Sequence, residues 1–469
     1  MNHADSSPDT TMASPAEQLF FSGNRRMQAD DHVGAELCFR QALAMQPDFG
    51  EAAANLGYLC SKAGDPAAAE SYFLHAIATR PELEEAYLML GVLWMEKKRF
   101  IEAEQLYRDY LQRHTHSAPV WSNLGVLLAC LQRDEQAEEC HRRALVCDPE
   151  FKKASFNLSY LLLRQERWDE GWRRLEDRWQ YPALATHFTC PRWQGEALNG
   201  KSLIVGFEAG HGDMIFYMRY IAELKRRGVT RIALVCHPAL VELFKTLDGV
   251  DELFAFDAVV PFSGWDYWVP PMSLPYLCQT RAPDFLAAIP YLQADRQKVA
   301  DWQQRVSAQL PDGVLRVGIV WCGNPLFEND ADRSIRTLAL LKPLSQIEDV
   351  ALISLQKGQG EAQAREADFA LWPLGHELHS FADTAALIQT LDLVISVDTA
   401  VAHLAGAMGV PCWVLLPDYR ADWRWHIGRS DSPWYPKNLR LFRQARTGGW
   451  PPLILQLATA LQSWKSSGN

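Results

Sequence analysis

Through its first 180 residues the chain repeats one arrangement of small, apolar and polar positions every 34 residues. Gly23, Gly57, Gly91 and Gly125 mark the period, and Leu56, Leu90, Leu124 and Leu158 stand before the glycine column or its continuation. Ala35, Ala69, Ala103 and Ala137 hold a second fixed place, Phe39, Phe73 and Tyr107 a bulky third that becomes His141 in the fourth repeat. Pro47, Pro81 and Pro149 close the repeats, with Thr115 where one proline is missing. Apolar spacings of three and four inside each period predict a pair of amphipathic helices. The small residue lets the partner helix approach, the ring fills the wedge, and proline stops the helix. From Lys201 the pattern changes to short β-branched runs separated by amphipathic stretches: SLIVGF, a helix over 213–227, IALVCH, a helix over 238–247, ELFAFD and YWVP. It restarts with LRVGIVWCG (315–323), VALISLQKG, DLVISVD and CWVLLP, after the connecting helix RQKVADWQQRVSAQL. Such alternation predicts parallel α/β architecture in two doubly wound lobes.

The boundaries that follow are a disordered tail over 1–15, a repeat domain over 16–182, a linker over 183–200, a first lobe over 201–296, a connecting helix over 297–314 and a second lobe over 315–469. Near its end the repeat fades: Ser159 replaces the glycine, and Trp168, Trp172 and Trp179 fall at helical spacing, as in a capping repeat docked on the next domain.

Composition narrows the function. Apolar residues make up 48% and charged residues 22% of 469, which excludes a disordered or fibrous chain. A net charge of −11 is the opposite of a nucleic-acid footprint. Residues 1–182 carry 20 basic and 28 acidic side chains, so the acidity is concentrated there and favours polar or basic partners. The most hydrophobic stretch, 391–416, is interrupted by Asp392, Asp398, His403 and Pro411, so no membrane span is expected. The first residues lack a basic start and an apolar core, and the ten cysteines form no C-x-x-C pair; both point to a reducing, cytoplasmic location without disulfides or structural zinc.

Three segments carry candidate chemistry. Gly195 to Ser202 matches G-x-x-x-x-G-K-S, but the strand SLIVGF follows the lysine instead of preceding the loop, so a P-loop is rejected. SLIVGF runs into EAGHGDM, a glycine-rich turn at a carboxyl strand edge, where His211 and Asp213 could serve as a base toward a hydroxyl; Asp213 could equally cap the helix. DLVISVDTAVAHLAGAMGVP predicts a strand and a helix whose start holds Asp398 and Thr399, with His403 one turn on. Unpaired amides and the helix dipole there suit a diphosphate, while Asp398 or His403 could contact a sugar or simply cap and pack.

The 34-residue pattern resembles the tetratricopeptide repeat family over about 16–180. In that family the position read here as Phe21, Asn55, Met89, Asn123 and Asn157 faces a concave groove, so Asn55, Asn123 and Asn157 are expected to bind an extended peptide through their amides. Asp398 to Pro411 together with Gly210 to Asp213 resembles the heptosyltransferase-like glycosyltransferase family nine, in the bacterial form fused to tetratricopeptide repeats. VGIVWCGNP, NDADRSI, SLQKG and DWRWHIGRSDSPWYP add to the likeness, which spans about 160–445. Two places depart from it: His211 stands where an apolar residue is expected, and Ala331 and Asp332 stand in a usually more basic stretch.

The resemblance implies an all-α solenoid followed by a two-lobed GT-B glycosyltransferase with two Rossmann-like lobes. It implies Asp213 as base, with His211 the alternative that the residues themselves leave open, and Asp398, Thr399, His403, Asn324 and Lys357 as donor contacts. Arg333 or Arg336 could balance the charge of the leaving diphosphate, and both could equally be solvated surface residues. The function it implies is inverting, metal-independent and cofactor-free transfer of a hexosyl or heptosyl group. The sugar passes from a nucleotide sugar to a protein acceptor, flagellin or another surface protein, held by the repeats. The alternatives are transfer to lipopolysaccharide or glycan precursors, and a repeat scaffold with a decayed transferase domain.

Overall fold

The computed structural model describes residues 13–180, 188–258, 263–281, 289–446 and 448–467. The chain divides into two compact units, Met1–Leu158 and Ser159–Asn469. The division falls inside the last repeat. Most of the expected tail and part of the expected linker lie outside the described residues; of the tail, Ser14 caps the first helix in a reciprocal box with Glu17.

The first unit is a series of antiparallel helix pairs: α1 (Pro15–Gln28) with α2 (His32–Met45), α3 (Gly50–Lys62) with α4 (Pro66–Thr79), α5 (Glu84–Glu96) with α6 (Phe100–Arg113), and α7 (Ala118–Cys130) with α8 (Asp134–Cys147). The glycines are required by close approach. A Cβ on Gly57 would lie 2.6 Å from the Phe73 ring, and one on Gly91 2.2 Å from Tyr107. His141 is no departure in packing terms, because a Cβ on Gly125 would lie 2.7 Å from its imidazole. Ala35, Ala69, Ala103 and Ala137 are fully buried between the helices. The seams carry a second repeat that the sequence reading missed: Arg99 pairs with Glu70 at 2.5 Å and Arg133 with Glu104 at 2.6 Å, the same pair shifted by one period.

Helix α9 (Lys152–Arg164) runs across the division, and α10 (Trp168–Leu175) lies in the second unit. Trp172 is buried there edge-on to Trp423 at 5.3 Å, and its indole N–H donates to the Thr280 carbonyl at 2.9 Å. Trp168 stands edge-on to Trp434 at 5.4 Å, so both tryptophans wedge α10 into the α/β fold.

The first sheet is built from β1 (Ser202–Val205), β2 (Arg231–Cys236), β3 (Glu252–Ala255) and β4 (Tyr267–Val269), in the order β3-β2-β1-β4. Its helices are α11 (His211–Tyr217), α12 (Tyr220–Arg226), α13 (Pro238–Phe244) and α14 (Leu274–Leu277). The single helix expected over 213–227 is thus two. They separate where the buried Arg219 turns back to donate to the Phe216 carbonyl at 2.9 Å and reaches the Trp434 carbonyl at 3.0 Å. After α15 (Arg296–Gln309) the second sheet begins with β5 (Leu315–Val320), α16 (Asp330–Arg333), α17 (Lys342–Ser345), β6 (Val350–Ser354), α18 (Glu361–Arg365) and β7 (Trp372–Pro373). It is completed by α19 (Phe381–Ile388), β8 (Leu393–Val397), α20 (Ala400–Met408), β9 (Cys412–Leu416), β10 (Leu439–Arg443) and α21 (Trp450–Ser466), in the order β10-β9-β8-β5-β6-β7. All pairings in both sheets are parallel. LVISV and CWVLL are buried throughout, which is why these strands read as unbroken apolar runs: helices cover both faces of a parallel sheet.

Candidate functional site

In the second unit the two segments singled out from sequence meet. Gly212, in the first turn of α11, packs on the start of α20: a Cβ there would lie 2.9 Å from the His403 ring and 3.4 Å from the Ala400 Cα. The turn before α11 is held from below. Glu208 is buried and accepts from Arg178 at 2.7 and 3.1 Å, and Ala209, at φ 59°, has its carbonyl bonded by His237 Nε2 at 2.9 Å. A left-handed conformation costs a non-glycine residue roughly 1–2 kcal/mol, so these contacts fix a strained turn.

Asp213 follows. One carboxylate oxygen accepts the Gly210 N–H at 3.0 Å, as a capping residue would, and the other accepts Arg424 Nη2 at 2.5 Å. Its side chain is 26% exposed, whereas Arg424 is 5% exposed. The other end of the Arg424 guanidinium donates to Asp422 at 3.1 Å, and the group lies against the rings of Phe216 (4.7 Å) and Trp423 (5.0 Å). Asp398 is half-buried near the same group. Desolvation, then the neighbouring Asp422 carboxylate, push its pKa up to about 6, against the pull of Arg333 and Arg424. Burial likewise raises Asp422, while Arg424 opposes it. A carboxyl that is partly protonated near neutrality can donate to a ligand oxygen as well as accept.

Thr399 precedes α20, and its hydroxyl bonds Ser396 Oγ at 2.9 Å instead of capping the first turn of the helix. His403 lies deeper than the sequence implied. It is 5% exposed, stacks on Trp425 at 5.1 Å and bonds the Tyr435 hydroxyl through Nδ1 at 2.9 Å. Burial, followed by Arg424 and Arg219, holds its pKa well below the ordinary imidazole value, so its ring packs as a neutral group between Trp425 and Tyr435. His211 is drawn into a row of rings, 4.7 Å from His237 and 5.2 Å from Phe381; burial and His237 lower its pKa.

The remaining donor candidates separate. Arg333 is largely buried beside Asp330 at 3.3 Å and faces the Phe327 ring at 4.4 Å. Asn324 is exposed and accepts the Leu326 N–H at 3.0 Å, a turn role. Lys357 is exposed and donates to the Gly375 carbonyl at 3.2 Å; in its loop the buried neighbour Gln356 does the organising, accepting from the Trp321 and Cys322 amides. Asp330 and Asp332 have the D-x-D spacing by which many transferases hold a metal, which the expectation of metal independence overlooked. The Asp330 carboxylate bonds the Ser334 hydroxyl at 2.8 Å, and no group of three possible metal-holding side chains occurs among the described residues.

In the first unit Asn55, Asn123 and Asn157 are half-buried, and their amide groups are engaged within the repeats: Asn55 donates to Asn24 at 2.8 Å, Asn123 to the Tyr107 hydroxyl at 3.5 Å and Asn157 to Ser122 at 3.4 Å. Their carbonyl oxygens keep acceptor capacity for a peptide N–H. Phe21, before the first of them, and Met89, between Asn55 and Asn123, are 51% and 42% exposed, so the row mixes amides with apolar contacts.

A tetratricopeptide repeat model matches residues 22–84 and 61–118, and the N-terminal region is a tetratricopeptide solenoid. Protein FlbA of Caulobacter vibrioides is 30% identical over 338 residues, 66% of this chain. The chain spans about half that relative's length, 55%. Among solved structures, Pseudomonas aeruginosa pilF is 20% identical with a TM-score of 0.33, over 35% of this chain and 75% of its own. A thermophilic tetratricopeptide protein of Thermus thermophilus is 19% identical with a TM-score of 0.31, over 36% and 97%. Among the described residues no helix is long and apolar enough to cross a membrane.

Proposed function

We propose that the second unit is an inverting glycosyltransferase of GT-B arrangement, and that the repeats select a protein acceptor for it. The observation that carries this reading is the packing of the Asp213 turn against the start of α20, which sets a carboxylate beside a helix N-terminus suited to a diphosphate. In this reading Asp213 takes the proton of an acceptor hydroxyl as its oxygen bonds to the anomeric carbon. The bond from that carbon to the diphosphate breaks, and its electron pair leaves on the phosphate oxygen. The α20 amides, Thr399 and Arg333 face the departing charge, and Asp398 in its protonated form donates to it. The nucleotide, the sugar and the acceptor are left to experiment.

Asp213→Asn preserves the cap on Gly210 but cannot take the proton. Turnover is expected to fall about 100- to 10,000-fold with donor affinity nearly unchanged, measured as release of nucleotide diphosphate and by calorimetry. A survey of nucleotide diphosphates and nucleotide sugars should include one that raises the unfolding temperature; at 100 times its Kd the stabilisation is about 2.7 kcal/mol. No shift with any of them would favour the scaffold.

A further inference from the structure

We infer that Arg424, itself held by Asp422, is the positioning residue that fixes the Asp213 carboxylate for its work; the inference rests on the reading of Asp213 as the base. Asp213 is carried by the helix after the first strand of the first sheet, and Arg424 by the short turn over Trp423–Trp425 that follows β9 of the second, 211 residues later. The guanidinium is buried and serves one acid at each end, Nη2 to Asp213 and Nη1 to Asp422. Neutralising a buried arginine needs only one carboxylate, and Asp422 provides it locally while also accepting the Arg424 backbone N–H at 2.9 Å. The second contact therefore does something further. The planar fork, lying against Phe216 and Trp423, sets the direction of one Asp213 oxygen, and the Gly210 amide sets the other at 3.0 Å. The carboxylate cannot turn about its own axis without losing a bond, and its exposed edge is left for the acceptor. Holding a reacting group to within about half an ångström is what such a support contributes. Lysine could replace the charge but could not reach both acids at once.

The test uses the full chain and donor turnover. Arg424→Gln is expected to lower kcat about 100-fold, Arg424→Lys about tenfold, and Asp422→Asn, the mildest change, about tenfold, each with donor KM within twofold. In an Asp213→Asn background, Arg424→Gln should lower the residual rate less than twofold, because Arg424 acts through Asp213. Unfolding temperatures are measured for all variants, and Asp422→Asn and Arg424→Lys carry the test if Arg424→Gln does not fold. Equal losses with and without Asp213, or kcat losses that only follow lost stability, would overturn the positioning role. An Asp213→Asn enzyme of normal rate would instead remove the base assignment on which it stands.

Discussion

His141 shows how one side chain can satisfy packing and still carry a cost. It fills the place that Phe39, Phe73 and Tyr107 fill elsewhere, yet its Nδ1 is buried without a partner, and burial pulls its pKa down to about 4. The unfolded imidazole titrates near 6.5, so protonation favours unfolding: stability is complete above pH 6.5 and is lost as pH falls toward 4, by about 3 kcal/mol for the whole interval. His141→Phe should abolish that acid sensitivity and be neutral or stabilising at pH 7, measured by denaturant unfolding at both ends. At this scale the sequence was partly legible. Asp213, Asp398 and Thr399 stand out because they follow strands and open helices. Arg424 and Tyr435 do not, because Asp213 and His403, which they meet, are distant in the chain and no spacing rule connects them. The depth of His403 was not legible, because helical spacing from Thr399 shows which residues share a face, and not whether that face meets solvent or Trp425.

The elements were read more fully than their ends. Each of the main parallel strands appeared as an apolar run, since burial on both faces leaves no alternation to mistake. The break between α11 and α12 was hidden, because it depends on Arg219 reaching the Trp434 carbonyl and not on a glycine or proline. The contact of α11 with α20 depends on Gly212, and an added methyl would meet an imidazole pinned by Trp425 and Tyr435. Gly212→Ala should therefore destabilise the chain by about 1–3 kcal/mol and lower turnover more than the equally conservative Gly210→Ala, whose Cβ would lie 3.4 Å from Asp213, an ordinary contact. Thermal unfolding and turnover of the two variants compare the effects directly.

Across the whole molecule, the division of labour is testable at the repeats. Replacing Asn55, Asn123 and Asn157 together by Ala should leave donor hydrolysis unchanged and raise the KM for a protein acceptor; an unchanged KM would remove the asparagine row from acceptor binding. The architecture was legible because both halves advertise themselves by period, 34 in one and strand-helix alternation in the other. The Leu158–Ser159 division was not, because it falls inside α9, a single helix that keeps the repeat pattern on both sides of it. The two halves also differ in how far apart in sequence their contacts lie. Every glycine-to-ring pair of the solenoid spans 16 residues, whereas β5 pairs with β8 across 76 and Asp213 meets Arg424 across 211. Local contacts form quickly and distant ones wait for loop closure. During synthesis the repeats can therefore finish folding while much of the second sheet is still unmade and before the Asp213 carboxylate has met its arginine.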